Sequence, residues 1–563
     1  MQMFSKYLVI ILLFVSYSLV AESNAPVRAK NGMVVSASDI ASLVGVEILK
    51  RGGNAVDAAV ATGFALAVTY PQAGNIGGGG FMVIHLADGT NTTIDYREKA
   101  PQSAFRDMYL DEDGNFDMEK STQGWASSGV PGSVAGMLYA LEKYGTMSRE
   151  EVLQPAIKLA VGGFPISYRF ADALNYYKYI FENHESTKKI FTKEEEDFIE
   201  SDLFIQKDLA NTLALIKSNG KDGFYNGEVA SLISKQSKEN GGFITLEDLA
   251  SYSPVERAPI IGEYRCNKIV SMGPPSSGGI ALMEALNSLE NFAFDIDSWG
   301  SSDYIHTVSE VLKYVYADRA EHLGDEDFYP VPKEWLISKE RGKEIAALVG
   351  DKAVPSNDIS HAKAPAKESE ETTHYSVIDA SGNAVSVTTT LNSTFGNKIV
   401  VEGAGFILNN EMDDFSSKPG TPNQFGLLGG EANSIEPNKR MLSAMTPTIV
   451  LNEYGKPYII IGSPGGSTII TTVMQVILNI IDFNMDIQEA INRPRFHHQW
   501  KPERIDYEHL GMTEDVKQNL IQKGHFIGIE RTLGRAEGII VDYENRIIWG
   551  ASDPRGYGEA IGY

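Results

Sequence analysis

The chain has 563 residues, of which 43% are hydrophobic and 22% are charged, so its composition is that of a globular protein rather than a disordered one. Its formal net charge is −25. An acidic surface of this kind repels phosphate backbones and argues against a nucleic-acid partner. The single cysteine, Cys266, excludes a disulfide framework and cysteine-rich metal sites. Cys266 lies in a predicted strand, and we expect it to be a small buried residue.

A secretory signal is predicted at the N-terminus. Lys6 precedes an apolar run from Tyr7 to Val15, and small residues follow, which places cleavage near Ala21 or Ala25. The run is shorter than the roughly 20 apolar residues of a membrane span, so cleavage is favoured over a membrane anchor. We therefore assign residues 1–25 to a signal peptide and expect a secreted protein, in the periplasm first and in the medium as the alternative.

Helical and strand patterns follow one another along the rest of the chain. Helices are predicted within Ala37 to Val68, with a break at Gly52-Gly53, and over Glu150–Val161, Asp208–Ser218, Tyr304–His322, Thr468–Ile481 and Glu514–Lys523. Strands are predicted within Arg257–Met272, in a hairpin that begins at Thr372, and in a last hairpin around Asp542–Asn545. Residues 350–371 lose nearly all large apolar side chains and indicate a flexible linker. This order predicts an α+β or layered α/β fold.

The boundary between the linker and the hairpin, ESEETTHYSVID, is the first candidate for chemistry. A threonine hydroxyl needs a base, and a cut just before Thr372 would create an α-amine, with a pKa of roughly 7.7–8, that can serve as that base. Such chemistry requires a flexible segment upstream, a rigid strand downstream, and Thr, Ser or Cys at the boundary. All three are predicted here. The alternative is that Thr372 and Thr373 are ordinary strand residues.

Two further segments suit a reaction on an amide. GSPGGS places Gly465 and Gly466 between a strand and a helix, where consecutive amides can bind an oxyanion; the alternative is a plain turn. NNEMDD, Asn409 to Asp414, contains three carboxylates, and taken alone it also fits a solvated cluster of charges. Arg97, taken alone, would be interpreted as part of a surface ion pair.

Adjacent histidines, His497 and His498, do not have metal-ligand spacing. Neighbouring residues of a strand point to opposite faces, so we expect one packed and one exposed imidazole. No metal or organic cofactor is expected.

Eleven motifs occur in order between about Ala29 and Tyr563: GGNAVDAAVA, PQAGNIGGGGFM, DYREKAP, PPSSGG, TTHYSV, TLNSTFG, LNNEMDDFS, PNKRMLSAMTPTIV, GSPGGS, PRFHHQW and GASDPR. This set resembles γ-glutamyltranspeptidase, a family of N-terminal-nucleophile hydrolases. The resemblance implies a four-layer αββα sandwich and a precursor that cuts itself between Glu371 and Thr372. It also implies a heterodimer of a large subunit, residues 26–371 ending in the linker 350–371, and a small catalytic subunit, residues 372–563.

The resemblance also implies the activity. Thr372 would attack γ-glutamyl amides such as glutathione, form a γ-glutamyl ester, and pass the group to water or to amino acid and dipeptide acceptors. Thr390 matches a threonine that assists the nucleophile, Thr373 would be a supporting residue, and Gly465 and Gly466 match the oxyanion hole.

The resemblance also implies how the donor is bound. Arg97 and Ser443 match residues that bind the donor α-carboxylate, and Asn392, Glu411 and Asp414 match residues that receive its α-ammonium. Where the family commonly has two serines, this chain has Ser443 and Ala444, so weaker donor binding is expected.

A loop from Lys418 to Arg440 resembles the lid that covers the pocket in many relatives, and Phe425 occupies the position of its gating aromatic residue. An ordinary long surface loop is the alternative. A lid favours small peptide donors over polymeric γ-glutamate.

Two other functions are compatible with parts of the sequence. A cephalosporin-acylase-like relative would also cleave itself, but it should not need Arg97 together with Glu411 and Asp414, so their presence favours a glutamyl donor. A secreted binding protein with an unprocessed chain would remain a single band on a denaturing gel.

Overall fold

Two seven-stranded sheets form the centre of the protein in the computed structural model, which describes residues 25–359, 372–418, 420–424 and 426–563. The strands of the described residues are β1 (Val27–Ala29), β2 (Met33–Ser36), β3 (Gly79–His85), β4 (Asn91–Asp95), β5 (Phe164–Pro165), β6 (Leu203–Phe204), β7 (Val255–Arg257), β8 (Ile260–Tyr264), β9 (Asn267–Ser271), β10 (Thr372–Ile378), β11 (Ala384–Thr390), β12 (Thr448–Leu451), β13 (Pro457–Gly462), β14 (Phe496–His497), β15 (Ile505–Tyr507), β16 (Ile527–Glu530), β17 (Glu537–Asp542), β18 (Ile547–Ser552) and β19 (Glu559–Gly562).

Helices flank these strands in the sequence. They are α1 (Asp39–Lys50), α2 (Ala55–Thr69), α3 (Met118–Thr122), α4 (Ser133–Tyr144), α5 (Arg149–Gly162), α6 (Tyr168–Phe181), α7 (Glu185–Phe191), α8 (Lys207–Asn219), α9 (Asp222–Tyr225), α10 (Gly227–Glu239), α11 (Leu246–Ser251), α12 (Gly278–Leu289), α13 (Ser302–His322), α14 (Lys333–Leu336), α15 (Lys339–Leu348), α16 (Ser356–Ile359), α17 (Thr468–Ile481), α18 (Ile487–Asn492) and α19 (Glu514–Lys523). Short 3₁₀ turns lie at Trp125–Ser127, Ile296–Ser298, Glu411–Asp414 and Glu431–Asn433. No helix within the described ranges has the length and apolar composition that a membrane span requires.

The two sheets and the helices outside them form layers, because apolar side chains cover the faces that pack together. One sheet has the order β1-β18-β17-β13-β12-β9-β8 and the other β19-β2-β10-β11-β3-β4-β7, and neighbours in both are antiparallel. An apolar layer that includes Phe81 and Ile460 separates the two sheets. Helices α1, α2, α4 and α5 lie in the cluster outside the second sheet, and α12, α13 and α17 in the cluster outside the first. The predicted αββα sandwich is confirmed.

Strands β10 and β11 occupy the middle of the second sheet, and every residue of both is buried. Their register pairs Thr372, the first residue of β10, with Thr390, the last residue of β11. Because both strands are covered on both faces, Thr372 is fixed where the sheet ends and a pocket begins.

Residues 350–359, which the sequence assigned to the flexible linker, are ordered instead. The Lys313 ammonium donates to the Val354 carbonyl at 2.8 Å, and the Ser356 hydroxyl donates to the Trp500 carbonyl at 2.7 Å. Hydrogen bonds to distant elements therefore hold a segment that has few apolar residues of its own. The rest of the predicted linker, residues 360–371, and the predicted signal residues 1–24 lie outside the described residues.

Two predictions about single residues are wrong. Cys266 is exposed, because it lies with Arg265 in the two-residue turn between β8 and β9, where both residues have positive φ (65° and 48°). His497 and His498 are both buried, because β14 ends at His497 and each ring has its own partner. The His497 ring is hydrogen-bonded to the Thr471 hydroxyl of α17 at 2.9 Å, and the His498 ring accepts the Trp500 N–H at 3.0 Å.

Candidate active site

A pocket opens at the end of β10, and it is lined by most of the residues that the sequence singled out. These are Arg97, Thr372, Thr390, Asn392, Glu411, Asp414, Ser443 and Gly466. They come from β10, β11, the turn after β4, the 3₁₀ turn Glu411–Asp414 and two loops, so the fold gathers segments that lie far apart in the sequence. Thr372 is 6% exposed, and Glu371, on the other side of the predicted cut, lies outside the described residues.

The turn after β11 places Asn392 beside the threonines. Asn392 has φ +75°, and its N–H donates to the Thr390 hydroxyl at 2.7 Å. Its Nδ2 donates to the Asn410 carbonyl at 2.9 Å. The side-chain oxygen of Asn392 is therefore the atom that can accept a hydrogen bond from a ligand.

Arg97 is fully buried at the base of the pocket. Its two terminal nitrogens donate to the carboxylates of Glu411 and Asp414, and its Nε donates to the Met441 carbonyl at 3.3 Å. The sequence assigned Arg97 and the two acids to opposite ends of a zwitterion, whereas the structure joins them directly. A third carboxylate, that of Glu98, lies 3.5 Å from the guanidinium.

Burial governs the protonation of this cluster. Burial raises the pKa of Glu411 well above its usual range and raises that of Glu98 to about 7, although the guanidinium opposes both shifts. Burial would lower the pKa of Arg97, but the carboxylates outweigh it and raise the pKa. Three acids surround the Arg97 cation, and Glu411 Oε2 and Glu98 Oε1 have no hydrogen-bond partner among the described residues. A further cation would therefore be favoured here.

Ser443 is held from behind by the PPSSGG segment. Its N–H donates to the Pro275 carbonyl at 2.9 Å, and its carbonyl accepts the Ser277 N–H at 2.8 Å and hydroxyl at 2.6 Å. The Ser443 hydroxyl oxygen accepts the Met445 N–H at 3.2 Å, which leaves the hydroxyl hydrogen for a ligand. Ala444 also lines the pocket, so the residue after Ser443 presents a methyl group there.

Gly465 and Gly466 form the turn between β13 and α17. Both have positive φ, 134° and 53°, and a Cβ on Gly465 would lie 2.4 Å from the Thr468 hydroxyl. Neither N–H donates to another described residue. Two amides before the N-terminus of a 14-residue helix have the charge that stabilises an oxyanion. Gly466 lines the pocket and Gly465 precedes it in the turn.

Comparison with known proteins identifies the family of this chain. Residues 41–563 match the family model described as gamma-glutamyltranspeptidase. The chain belongs to the gamma-glutamyltranspeptidase family. It is 51% identical over 543 residues to the glutathione hydrolase proenzyme of Escherichia coli (strain K12), a match that covers 96% of this chain and 93% of that protein.

Two solved structures share the fold of this family member. One is Helicobacter pylori gamma-glutamyltranspeptidase, with 49% identity and a TM-score of 0.58, covering 59% of this chain and 95% of the other. The other is a cephalosporin acylase from Bacillus halodurans, with 26% identity and a TM-score of 0.85, covering 98% of this chain and 99% of the other.

The covering loop, which we define as residues 420–424 and 426–430, lies over the pocket. Thr421, Asn423 and Leu427 to Gly429 line it. Asn423 Nδ2 donates to Asp414 at 3.0 Å, and the Gly430 N–H donates to the Ala320 carbonyl of α13 at 3.0 Å. Phe425, the predicted gating residue, lies outside the described residues. The described part of the loop thus contacts the acid cluster and a helix of the outer layer.

Arg319 of α13 also lines the pocket, and the sequence analysis missed it. It is 4% exposed, its Nε donates to the Ser277 hydroxyl at 3.0 Å, and burial lowers its pKa. Arg319 lies four residues after Val315 and three after Tyr316, on the buried face of α13. That position was the available signal, because an arginine on the apolar face of a helix requires a polar or charged partner.

A second titratable cluster lies away from the pocket. His306, Glu310 and His525 bring possible metal-ligand atoms within 4.8 Å of one another. However, the Lys313 ammonium lies 2.7 Å from Glu310, and the His306 and His525 rings are hydrogen-bonded directly at 2.7 Å. The cluster already balances its charge, so we assign it no metal.

Proposed function

We propose that this protein is a self-processing γ-glutamyltransferase and glutathione hydrolase with Thr372 as its nucleophile. The observation that carries the proposal is the position of Thr372 at the start of a fully buried strand, in one pocket with Arg97, Glu411, Asp414 and the amide of Gly466. The pocket thus combines a nucleophile, an oxyanion site and charges for a zwitterion.

Maturation begins with attack of the Thr372 hydroxyl on the Glu371 carbonyl. The C–N bond breaks as an ester forms, which frees the Thr372 amine, and water then hydrolyses the ester to leave a Glu371 carboxylate. Residues 26–371 and 372–563 become the large and small subunits. Strand β10 pairs with β2 and β11, so the two parts stay joined by a shared sheet after the cut.

Turnover uses the amine that maturation creates. The Thr372 amine takes the hydroxyl proton while the oxygen attacks the γ-carbonyl of the donor, and the Gly465 and Gly466 amides stabilise the oxyanion. Collapse expels the donor amine, which receives the proton, and leaves a γ-glutamyl ester. Water or the amine of an amino acid or dipeptide acceptor resolves the ester. Thr390 supports the nucleophile from the opposite strand.

Donor recognition follows from the charges of the pocket. The donor α-carboxylate is bound by Arg97 and the Ser443 hydroxyl. The α-ammonium donates to the Asn392 side-chain oxygen, to Asp414 and to the Glu411 oxygen that has no partner among the described residues. The ammonium brings a cation to a site with more acids than bases, so donor binding improves its charge balance.

The proposal extends to partners and location. The described part of the covering loop restricts the pocket, which supports small γ-glutamyl peptides such as glutathione as donors. The predicted signal peptide supports export, to the periplasm in the first place and to the medium as the alternative.

A denaturing gel with an activity assay tests the proposal. The wild-type chain should give two bands, the smaller beginning TTHYSV, and should release p-nitroaniline from γ-glutamyl-p-nitroanilide faster when glycylglycine is added. Thr372→Ala should give one uncleaved, inactive chain, while Thr373→Ala should still be cut. A mature and active Thr372→Ala protein would reject this nucleophile.

A further inference from the structure

A third carboxylate of the 3₁₀ turn, that of Asp413, faces away from Arg97 and has no role in the mechanism above. It is fully buried, and the two hydrogen-bond partners that the described residues supply are neutral. The Ser121 hydroxyl lies 2.8 Å from Oδ1, and the main-chain N–H of Gln424 donates to Oδ2 at 3.0 Å. Asp413 therefore links the covering loop to α3, which lies on the other side of the predicted cut.

The hydrogen count at Ser121 indicates which protonation state fits this geometry. Ser121 has one hydroxyl hydrogen and two acceptors in reach, the Met118 carbonyl at 3.0 Å and Asp413 Oδ1 at 2.8 Å. Both contacts are satisfied if Asp413 carries a proton on Oδ1, donates it to Ser121, and lets Ser121 donate to Met118. Oδ2 still accepts from Gln424. An ionised Asp413 would lose one of these bonds.

We propose that Asp413 is a positioning residue that holds the covering loop over the pocket while it is protonated, and that its ionisation releases the loop. Ionisation would place a charge in a buried site where no described residue forms an ion pair with Asp413, and opening the loop at Gln424 would admit water to it. The consequence for donor entry and product release rests on the proposed function, whereas the response of the loop does not.

Burial is the main reason why Asp413 is protonated in the closed loop. It raises the pKa of Asp413 to about 7, although the hydrogen bonds from Ser121 and Gln424 oppose this shift. Tyr109 faces it and stays neutral, because burial raises the pKa of its phenol well above the usual value. On α3, the Lys120 ammonium donates to the Met108 carbonyl rather than to Asp413. The neighbouring Asp414 is already paired with Arg97 and also disfavours a second charge.

The direction of the pH effect on loop closure follows from the difference in the pKa of Asp413 between the closed and open loop. The closed loop raises the pKa of Asp413 above that of a hydrated carboxyl, near 3.9, so the closed state binds the proton more tightly. Closure is therefore most favoured at low pH and weakens as pH rises towards about 7. Each unit of pKa difference between open and closed states changes the closing equilibrium about tenfold.

Hydrogen exchange of the intact protein, read by mass spectrometry on peptides covering residues 420–430, tests this inference at about pH 5.5 and about pH 8.5, after correction for intrinsic exchange. We expect several-fold lower protection at the higher pH in the wild type. Asp413→Asn keeps the acceptor and supplies an N–H in place of the acid O–H, so it should be protected at both pH values. Ser121→Ala should lower protection at the lower pH.

Asp248→Asn is the matched control, since Asp248 is a buried carboxylate that accepts the Gln102 N–H at 2.8 Å outside the covering loop; it should keep the wild-type response. A wild-type loop without a pH response, or an unchanged response in Asp413→Asn, would overturn the inference. If Asp413→Asn does not fold, an unchanged response in Ser121→Ala overturns it instead. Missing γ-glutamyl turnover with an intact loop response would reject the proposed function alone.

Discussion

Replacing Asp414 by Asn tests whether Asp414 binds the donor ammonium or only maintains the shape of the pocket. Asp414 accepts from Arg97 through Oδ2 and from Asn423 through Oδ1 at 3.0 Å. Asn has the same shape, so it can keep one acceptor while it removes one of the negative charges that we propose bind the donor ammonium.

The size of the effect follows from the bonds that change. A hydrogen bond to a charged group contributes about 1.5–3 kcal/mol, and 1.4 kcal/mol is about tenfold, so kcat/KM for γ-glutamyl-p-nitroanilide should fall by about 10- to 150-fold. Glutaryl-p-nitroanilide retains the carboxylate and lacks the ammonium. Its weaker turnover should fall much less, so the preference for γ-glutamyl over glutaryl should drop by about tenfold or more.

The assay compares kcat/KM for the two anilides in the wild type, Asp414→Asn and a control, Asp482→Asn. Asp482 pairs with Arg265 just after α17, about 20 Å along that helix from the pocket, so its replacement should leave the preference unchanged. Equal losses for both anilides in Asp414→Asn would refute the reasoning, because they would mean that Asp414 shapes the pocket without contacting the ammonium.

Three further outcomes are expected. Ala444→Ser restores a hydroxyl beside Ser443, which should lower the donor KM by about 2- to 12-fold for one hydrogen bond, and an unchanged or higher KM would contradict this. Gly465→Ala should lower kcat by a factor on the order of 10²–10³ with little change in KM, because the added Cβ would lie 2.4 Å from the Thr468 hydroxyl and displace the amide. A higher KM with an unchanged kcat would argue against an oxyanion role. Burial lowers the pKa of His497 to about 4, below the usual value near 6.5, so its contribution to stability is present above about pH 6.5 and is lost as pH falls towards 4. His497→Gln should therefore flatten the fall in thermal midpoint between those pH values, and an unflattened profile would exclude a neutral buried imidazole.

Local patterns predicted the elements that carry the chemistry. The predicted helices Thr468–Ile481 and Glu514–Lys523 match α17 and α19, and the hairpin that begins at Thr372 matches β10 and β11. These segments have strong periodicity and clear turn residues, which act over a few neighbouring positions. The glycines before α17 could be recognised for the same reason.

Contacts between distant parts of the chain could not be predicted in this way. Arg97 and Glu411 are 314 positions apart, and nothing near either residue indicates that they form an ion pair. Arg319 was missed because the pattern of α13 predicts a helix but does not indicate that a pocket lies against it. Residues 350–359 have a linker-like composition, but α13 and the Trp500 segment supply their partners. In each case the deciding groups lie on elements that meet only in the folded protein.

The most direct test of the account is to locate the acyl group on the enzyme. The purified protein would be mixed with a γ-glutamyl anilide without acceptor, quenched in acid within one turnover, and digested for tandem mass spectrometry. We predict one γ-glutamyl group on the side chain of Thr372, in a peptide that begins at that residue, and none in Thr372→Ala. A γ-glutamyl group on another residue, or a Thr372 still joined to Glu371 in active enzyme, would contradict the central claim.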